Sequence, residues 1–188
     1  MKSLIATALG ASALMLAGCS NVVMVSDPVT HPNYIFGDET YAGRNGAIRV
    51  EVAGDTFGMP RDQFAQLVVD QMNKGYFRHG LFTLEASRAT DPRYKIVMMF
   101  NPDPAVSGRA LCEAAQPYQP VPRATGERSV LLAAFCGGPM AISENTGWVA
   151  LSGVQDPNFP RLVDQVTLTL FPRTDIRRDS QGGGSGPF

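Results

Sequence analysis

The run Tyr94-Lys95-Ile96-Val97-Met98-Met99-Phe100 is apolar at every position except Lys95. Successive residues of a strand point to opposite sides, so a run like this needs cover on both of its faces. That is the situation of a central strand in a layered fold. Asp91-Pro92-Arg93 supplies a turn ahead of it, and Pro102 and Pro104 end it.

Other elements group around this strand. Ile48, Val50 and Val52 alternate with Arg49 and Glu51, which predicts a strand with one wet face over residues 47–52. Pro60 suits the first turn of a helix, where its missing N–H costs nothing. Phe64, Leu67, Val68 and Met72 then fall on one helical face, and Gly75 offers a left-handed stop. A helix is therefore expected over residues 60–74. Phe82, Leu84 and Ala86 alternate with polar neighbours and predict a short strand. Residues 129–135 read as another apolar strand, broken by Gly137-Gly138-Pro139, and residues 148–152 as a further candidate. In residues 158–171, Leu162, Val163, Val166 and Leu170 fit a helical face. Residues 166–170 also alternate like a strand, but length and the flanking Pro160 and Pro172 favour helix.

Strand, helix, strands, helix is the order of an α+β fold. We expect a single small domain over residues 47–173, with a mostly antiparallel sheet of about four to five strands and two helices on one face. Residues 101–128 form an irregular insertion carrying five prolines, at 102, 104, 117, 120 and 122. An insertion this long in a small domain is either functional or disordered. Residues 174–188 are glycine-rich and cannot build a core. No internal repeat is present.

The N-terminus has one cation, Lys2, and then an apolar run from Leu4 to Leu16. The run is shorter than the roughly 20 residues that span a bilayer, and its layout is that of a secretory signal. It closes on Leu16-Ala17-Gly18-Cys19, which resembles the lipobox of bacterial lipoproteins in all four positions. The resemblance implies that residues 1–18 are a signal peptide and that Cys19 becomes the first residue, carrying a diacylglyceryl group. Several acyl chains on one residue hold a membrane where a single chain does so only marginally. No transmembrane helix is then required. Ser20, in the place where Asp retains such proteins at the inner membrane, implies the periplasmic face of the outer membrane. Residues 19–46, with Pro28, Pro32, Gly37 and Gly43, would be a lipidated tether, and Tyr34, Ile35 and Phe36 could rest against the domain.

Removing the first 18 of 188 residues leaves 170, enough for one core. One Lys leaves with them, so 15 Lys+Arg stand against 17 Asp+Glu, a side-chain balance of −2. No basic stripe exists, which argues against nucleic acid as a partner. With Cys19 lipidated, the cysteines left are Cys112 and Cys136. In an oxidising envelope such a pair most often forms a disulfide. Closing a loop of about 25 residues would stabilise the fold by roughly 3 to 3.5 kcal/mol. It would also pin the 101–128 insertion to the sheet.

The element order and the closing Leu162-Val163-Asp164 and Leu170-Phe171-Pro172 are similar to a family of uncharacterised envelope lipoproteins with a small α/β domain. The resemblance covers roughly residues 47–173. It implies a C-terminal helix ending near Phe-Pro and offers no activity. The proline-rich insertion with its two cysteines departs from that pattern.

Catalytic constellations are sparse. Of the two histidines, His31 lies in the tether and His79 in a turn, and no Gly-x-Ser-x-Gly elbow exists. Asp55, Asp62, Glu113, Glu127, Glu144 and Asp156 could furnish a glycosidase pair, but none stands in a recognisable motif. No His, Cys or acidic cluster has metal spacing, and no phosphate-binding glycine loop appears, so no catalytic residue, metal or cofactor is expected beyond the lipid on Cys19. Met98, Met99 and Met140 could line an adaptable apolar site but read first as core, as does Trp148. Arg109, Tyr118, Arg123 and Arg128 flank the insertion and form the expected binding surface.

The expected function is a non-enzymatic accessory or interaction domain of the envelope, held by its lipid and meeting an envelope protein partner. The alternatives are an enzyme acting on cell-wall glycan or peptide, and a carrier of a small apolar ligand or lipid.

Overall fold

The computed structural model describes residues 22–78, 80–113, 120–121, 123–124 and 126–172. The signal segment with Cys19, His79, Tyr118 and the tail after Pro172 lie outside the described residues. The elements in chain order are β1 (Met24–Val25), β2 (Val29–Thr30), α1 (Asp38–Ala42), β3 (Ile48–Gly54), α2 (Arg61–Gly75) and β4 (Phe82–Thr83). A 3-10 turn at Ala86–Arg88 precedes β5 (Tyr94–Phe100), α3 (Gly108–Glu113), β6 (Arg128–Gly137), β7 (Met140–Ala150) and α4 (Asn158–Leu170).

The strands form one seven-stranded sheet of order β1-β7-β6-β5-β3-β4, with β2 also paired to β7. Strand β5 is central, as its two-faced apolar pattern requires. Its pairing with β6 is antiparallel and its pairing with β3 parallel. Ile96, Met98 and Phe100 of β5, with Leu131, Ala133 and Phe135 of β6, face α2 and α4. Val97 and Met99, with Leu132, Ala134 and Cys136, face the other way and pack with Leu111 and Cys112 of α3. Met98 and Met99 are thus core residues on opposite faces, while Met140 lies at the surface.

The mixed α/β single domain is as the sequence predicts, and α2 and α4 share one face. The sheet is larger than the expected four to five strands, and α3 covers the second face. Two causes hid the extra strands. Strands β1 and β2 are only two residues long and arise from the segment read as a tether. Strand β7 is eleven residues long, but its first half carries Ser143, Glu144, Asn145 and Thr146, which mask the apolar alternation. Two of these polar residues serve α4. Ser143 Oγ donates to Leu170 O at 2.6 Å and Asn145 Nδ2 to Val166 O at 2.9 Å. A helix end leaves its last carbonyls without partners, and Ser143 satisfies one of them. The strand expected at Phe82–Ala86 stops at Thr83. Its edge is held by Asn73 of α2, which donates to Phe82 O and accepts from Phe82 N–H.

Residues 158–170 are helical, which decides between the two patterns read there. Gly75 ends α2 without a left-handed turn. Its role is proximity, because a Cβ there would collide with the Asp164 carboxylate of α4. Gly138 does adopt the left-handed region, with φ 63°, in the tight β6–β7 turn. The disulfide joins Cys112 of α3 to Cys136 of β6, with Cα atoms 5.6 Å apart.

Candidate functional site

The parallel strands β3 and β5 end side by side, with Gly54 opposite Phe100, and both chains turn sharply there. Asn101 has φ 51° and Phe57 φ 53°. Asn tolerates this left-handed region through its short polar side chain, whereas a bulky residue such as Phe is uncommon in it. Both conformations are held by bonds. Asn101 is fully buried, and its Nδ2 donates to Asp55 Oδ2 at 2.9 Å. Its Oδ1 accepts from Val130 N–H at 2.9 Å, its N–H donates to Val130 O, and its carbonyl accepts from Val121 N–H. Asp55 Oδ1 accepts the Phe57 N–H at 2.8 Å. The Phe57 ring closes against Phe64, Phe100 and Phe159, each with a centroid about 6 Å away.

Beyond these strand ends lies a cavity of about 370 Å3, lined by Asp55, Phe57, Gly58, Arg123, Ala124, Ser129, Leu151, Ser152 and Gly153. Open α/β sheets collect ligands beyond the carboxyl ends of their parallel strands, and this volume lies in the usual ligand range. Strained non-glycine residues cluster at such sites more than elsewhere.

The opposite end of the sheet differs in character. Here β5 begins, β6 turns into β7, and residues 31–42 fold across. A second cavity of about 340 Å3 is lined by Asn33, Ile35, Asp38, Arg93, Tyr94, Gly137, Gly138 and Ile142. Around it Ile35, Phe36, Met140 and Tyr41 are 69%, 58%, 56% and 48% exposed. The Arg44 guanidinium lies 3.9 Å over the Tyr41 ring, and Tyr41 meets Tyr94 edge-on at 6.3 Å. Burial pushes the Asp38 carboxyl and the Tyr94 hydroxyl up from their ordinary values. The Arg93 guanidinium, hydrogen-bonded to Asp91 at 2.7 Å, holds the Asp91 carboxyl down at about 2.

The expected binding residues do not form one surface. Arg123 lines the polar cavity, and Arg128 opens β6 at the same end, opposite Ala150. Arg109 lies on α3, whose Cys112 is bonded to the far end of β6, and it pairs with Glu113 at 2.8 Å. Tyr118 lies outside the described residues. Ile35 and Phe36 stand out from the domain, while Tyr34 lies against it and donates its hydroxyl to Pro172 O at 2.6 Å. Trp148 is half-buried and belongs to neither core cluster. The acidic candidates mostly hold turns. Asp156 accepts from Ser152 and Asn158, Glu127 from Ala124, and Asp62 sits in the first turn of α2. Among the described residues no group of three His, Cys, Asp or Glu could hold a metal ion. Among them, too, no helix is long and apolar enough to cross a membrane.

Fold and sites together define a mixed α/β domain with a polar cavity at one sheet end and an exposed apolar patch at the other. No protein-family model matches the chain, and no curated protein matches it. Among solved structures it is similar to a PelC dodecamer from Paraburkholderia phytofirmans, at 13% identity and TM-score 0.43, over 81% of this chain and 100% of that chain. A point variant of PelC from the same organism, also a dodecamer, is similar at 12% identity and TM-score 0.43, with the same coverage.

Proposed function

We propose that this chain is a lipid-anchored envelope protein, on the periplasmic side of the outer membrane, whose domain is a non-enzymatic interaction module. The observation that carries the interaction role is the apolar patch of Ile35, Phe36, Tyr41 and Met140. Scattered exposed apolar residues need no explanation, but four at one end of the sheet, Ile35 among them lining a cavity, support a contact surface there. Chain direction supports a protein as the occupant of this patch. Strand β1 runs antiparallel to β7, with Met24 opposite Trp148, so β1 followed backward heads toward Ala150. Met140 is at the other end of that strand, roughly 30 Å away at about 3.3 Å per residue. A membrane holding the lipid on Cys19 would therefore lie at the polar end and leave the apolar end free in the periplasm.

Two measurements test this reading. Labelled palmitate should enter the wild-type chain and not a Cys19→Ala chain, and only the wild type should fractionate with membranes. Label-free wild type would remove the anchor. For the patch, a photo-reactive residue at Met140 should cross-link one and the same envelope protein in cells. The paired substitution Ile35→Glu and Phe36→Glu should abolish that product while leaving the thermal melt unchanged. Capture that persists in the double variant would overturn the patch as the contact surface.

A further inference from the structure

The polar cavity carries two opposite charges that are not paired with each other. Asp55 is fixed by neutral donors only, the Asn101 amide and the Phe57 N–H, which leave lone-pair capacity on both oxygens. Arg123 lines the same cavity. Among the described residues neither forms an ion pair. The buried Asn101 ties the two segments together, because it binds Asp55 through its side chain and Val121, two residues before Arg123, through its carbonyl. Unpaired charges of opposite sign on one cavity, Asp55 held in place and Arg123 exposed, complement a ligand that carries both signs.

The location supplies the source of such a ligand. Strand β1 begins with Met24 opposite Trp148, near the end of β7, and the next residues of β7's chain, Leu151 and Ser152, line the cavity. Cys19 is three residues from Val22, which extended chain spans in at most about 11 Å. The cavity therefore opens at the end of the molecule that a lipid on Cys19 would bring to the bilayer.

We propose that this cavity binds a zwitterionic phosphate–amine group, of the kind that forms a phospholipid headgroup, with the ammonium on Asp55 and the phosphate on Arg123. The membrane as source rests on the anchor proposed above. The charge arrangement does not.

The test uses the full chain carrying Cys19→Ala, which has no lipid of its own, so failure of the anchor cannot affect the result. Glycerophosphoethanolamine, glycerol phosphate and ethanolamine are titrated separately by calorimetry. The zwitterion should bind at least about tenfold tighter than either half, the scale of one charge-assisted hydrogen bond. Arg123→Gln should weaken the zwitterion by about tenfold or more and leave ethanolamine unchanged. Asp55→Asn, which keeps an acceptor for only one of Asn101 and Phe57, should do the converse with glycerol phosphate in a chain whose melt stays cooperative. Flotation with phosphatidylethanolamine vesicles but not with pure phosphatidylglycerol vesicles identifies a bilayer lipid as the source. Solution binding without flotation identifies a soluble phosphodiester. No binding by the zwitterion, equal binding by its halves, or tighter binding of a neutral amino-sugar disaccharide would overturn the proposal.

Discussion

Asp91 and Asp164 occupy opposite electrostatic situations. Hydrogen bonding from Arg93 holds Asp91 at about 2, below the roughly 3.9 of a free carboxyl. As pH falls the unfolded chain takes up this proton first. The contribution of Asp91 is therefore complete above about pH 4 and lost as pH falls through 2. Urea unfolding across that interval should show a shallower acid loss of stability in Asp91→Asn than in the wild type. Asp164 is raised instead, by desolvation where α4 meets α2, against the hydrogen bond from Gln71. Gly75 is what allows that approach. Gly75→Ala should drive a methyl into the Asp164 side chain and destabilise the fold by about 1–3 kcal/mol, read from the urea midpoint at constant slope. Asn101→Ala should cost about 2–4 kcal/mol, because it strips one buried N–H and the Asp55 carboxylate of their partner and leaves a left-handed φ on alanine.

At the scale of elements, legibility followed local pattern. Helices α2 and α4 bury one face in a regular period and β5 buries both of its faces, and these patterns are visible in their residues. The strands β1, β2 and β4 are two residues each, too short for any period to register, and their pairing is decided by neighbours distant in sequence. The first part of strand β7, ahead of the expected residues 148–152, was hidden by residues such as Asn145 and Ser143, whose polar groups satisfy α4 inside the core. Of the polar cavity, Arg123 was legible as an arginine near an irregular loop, and Asp55 as one of six carboxylates without a motif. The partnership of Asp55 with Asn101 depends on the parallel register of β3 and β5, for which no local signal exists. The cysteine pair was legible from its count and the expected compartment, and it fastens α3 over the second face of the sheet. Reduction should lower stability by about 3 kcal/mol in denaturant titrations. The same reduction should speed amide exchange in residues 108–113 well before that of β6.

For the whole molecule, the two ends of the sheet are chemically distinct. One holds buried polar groups with Asp55 and Arg123, the other Ile35, Phe36 and Met140. Because these apolar side chains already stand in solvent, charge introduced there should change stability by no more than about 0.5 kcal/mol. Its effect should fall on association alone, which size-exclusion profiles and melts measured together would separate. The attachment of residues 22–31 has a mechanical meaning. These residues are bound to β7 through Met24, Val25, Val29 and Thr30 and through the His31 N–H to Ile142 O. Tension applied at the N-terminal end of the chain would load this seam first, peeling two short strands from one edge while the disulfide-fastened centre kept its shape. Under load the chain would therefore lengthen by the length of this seam before either end of the sheet was disturbed.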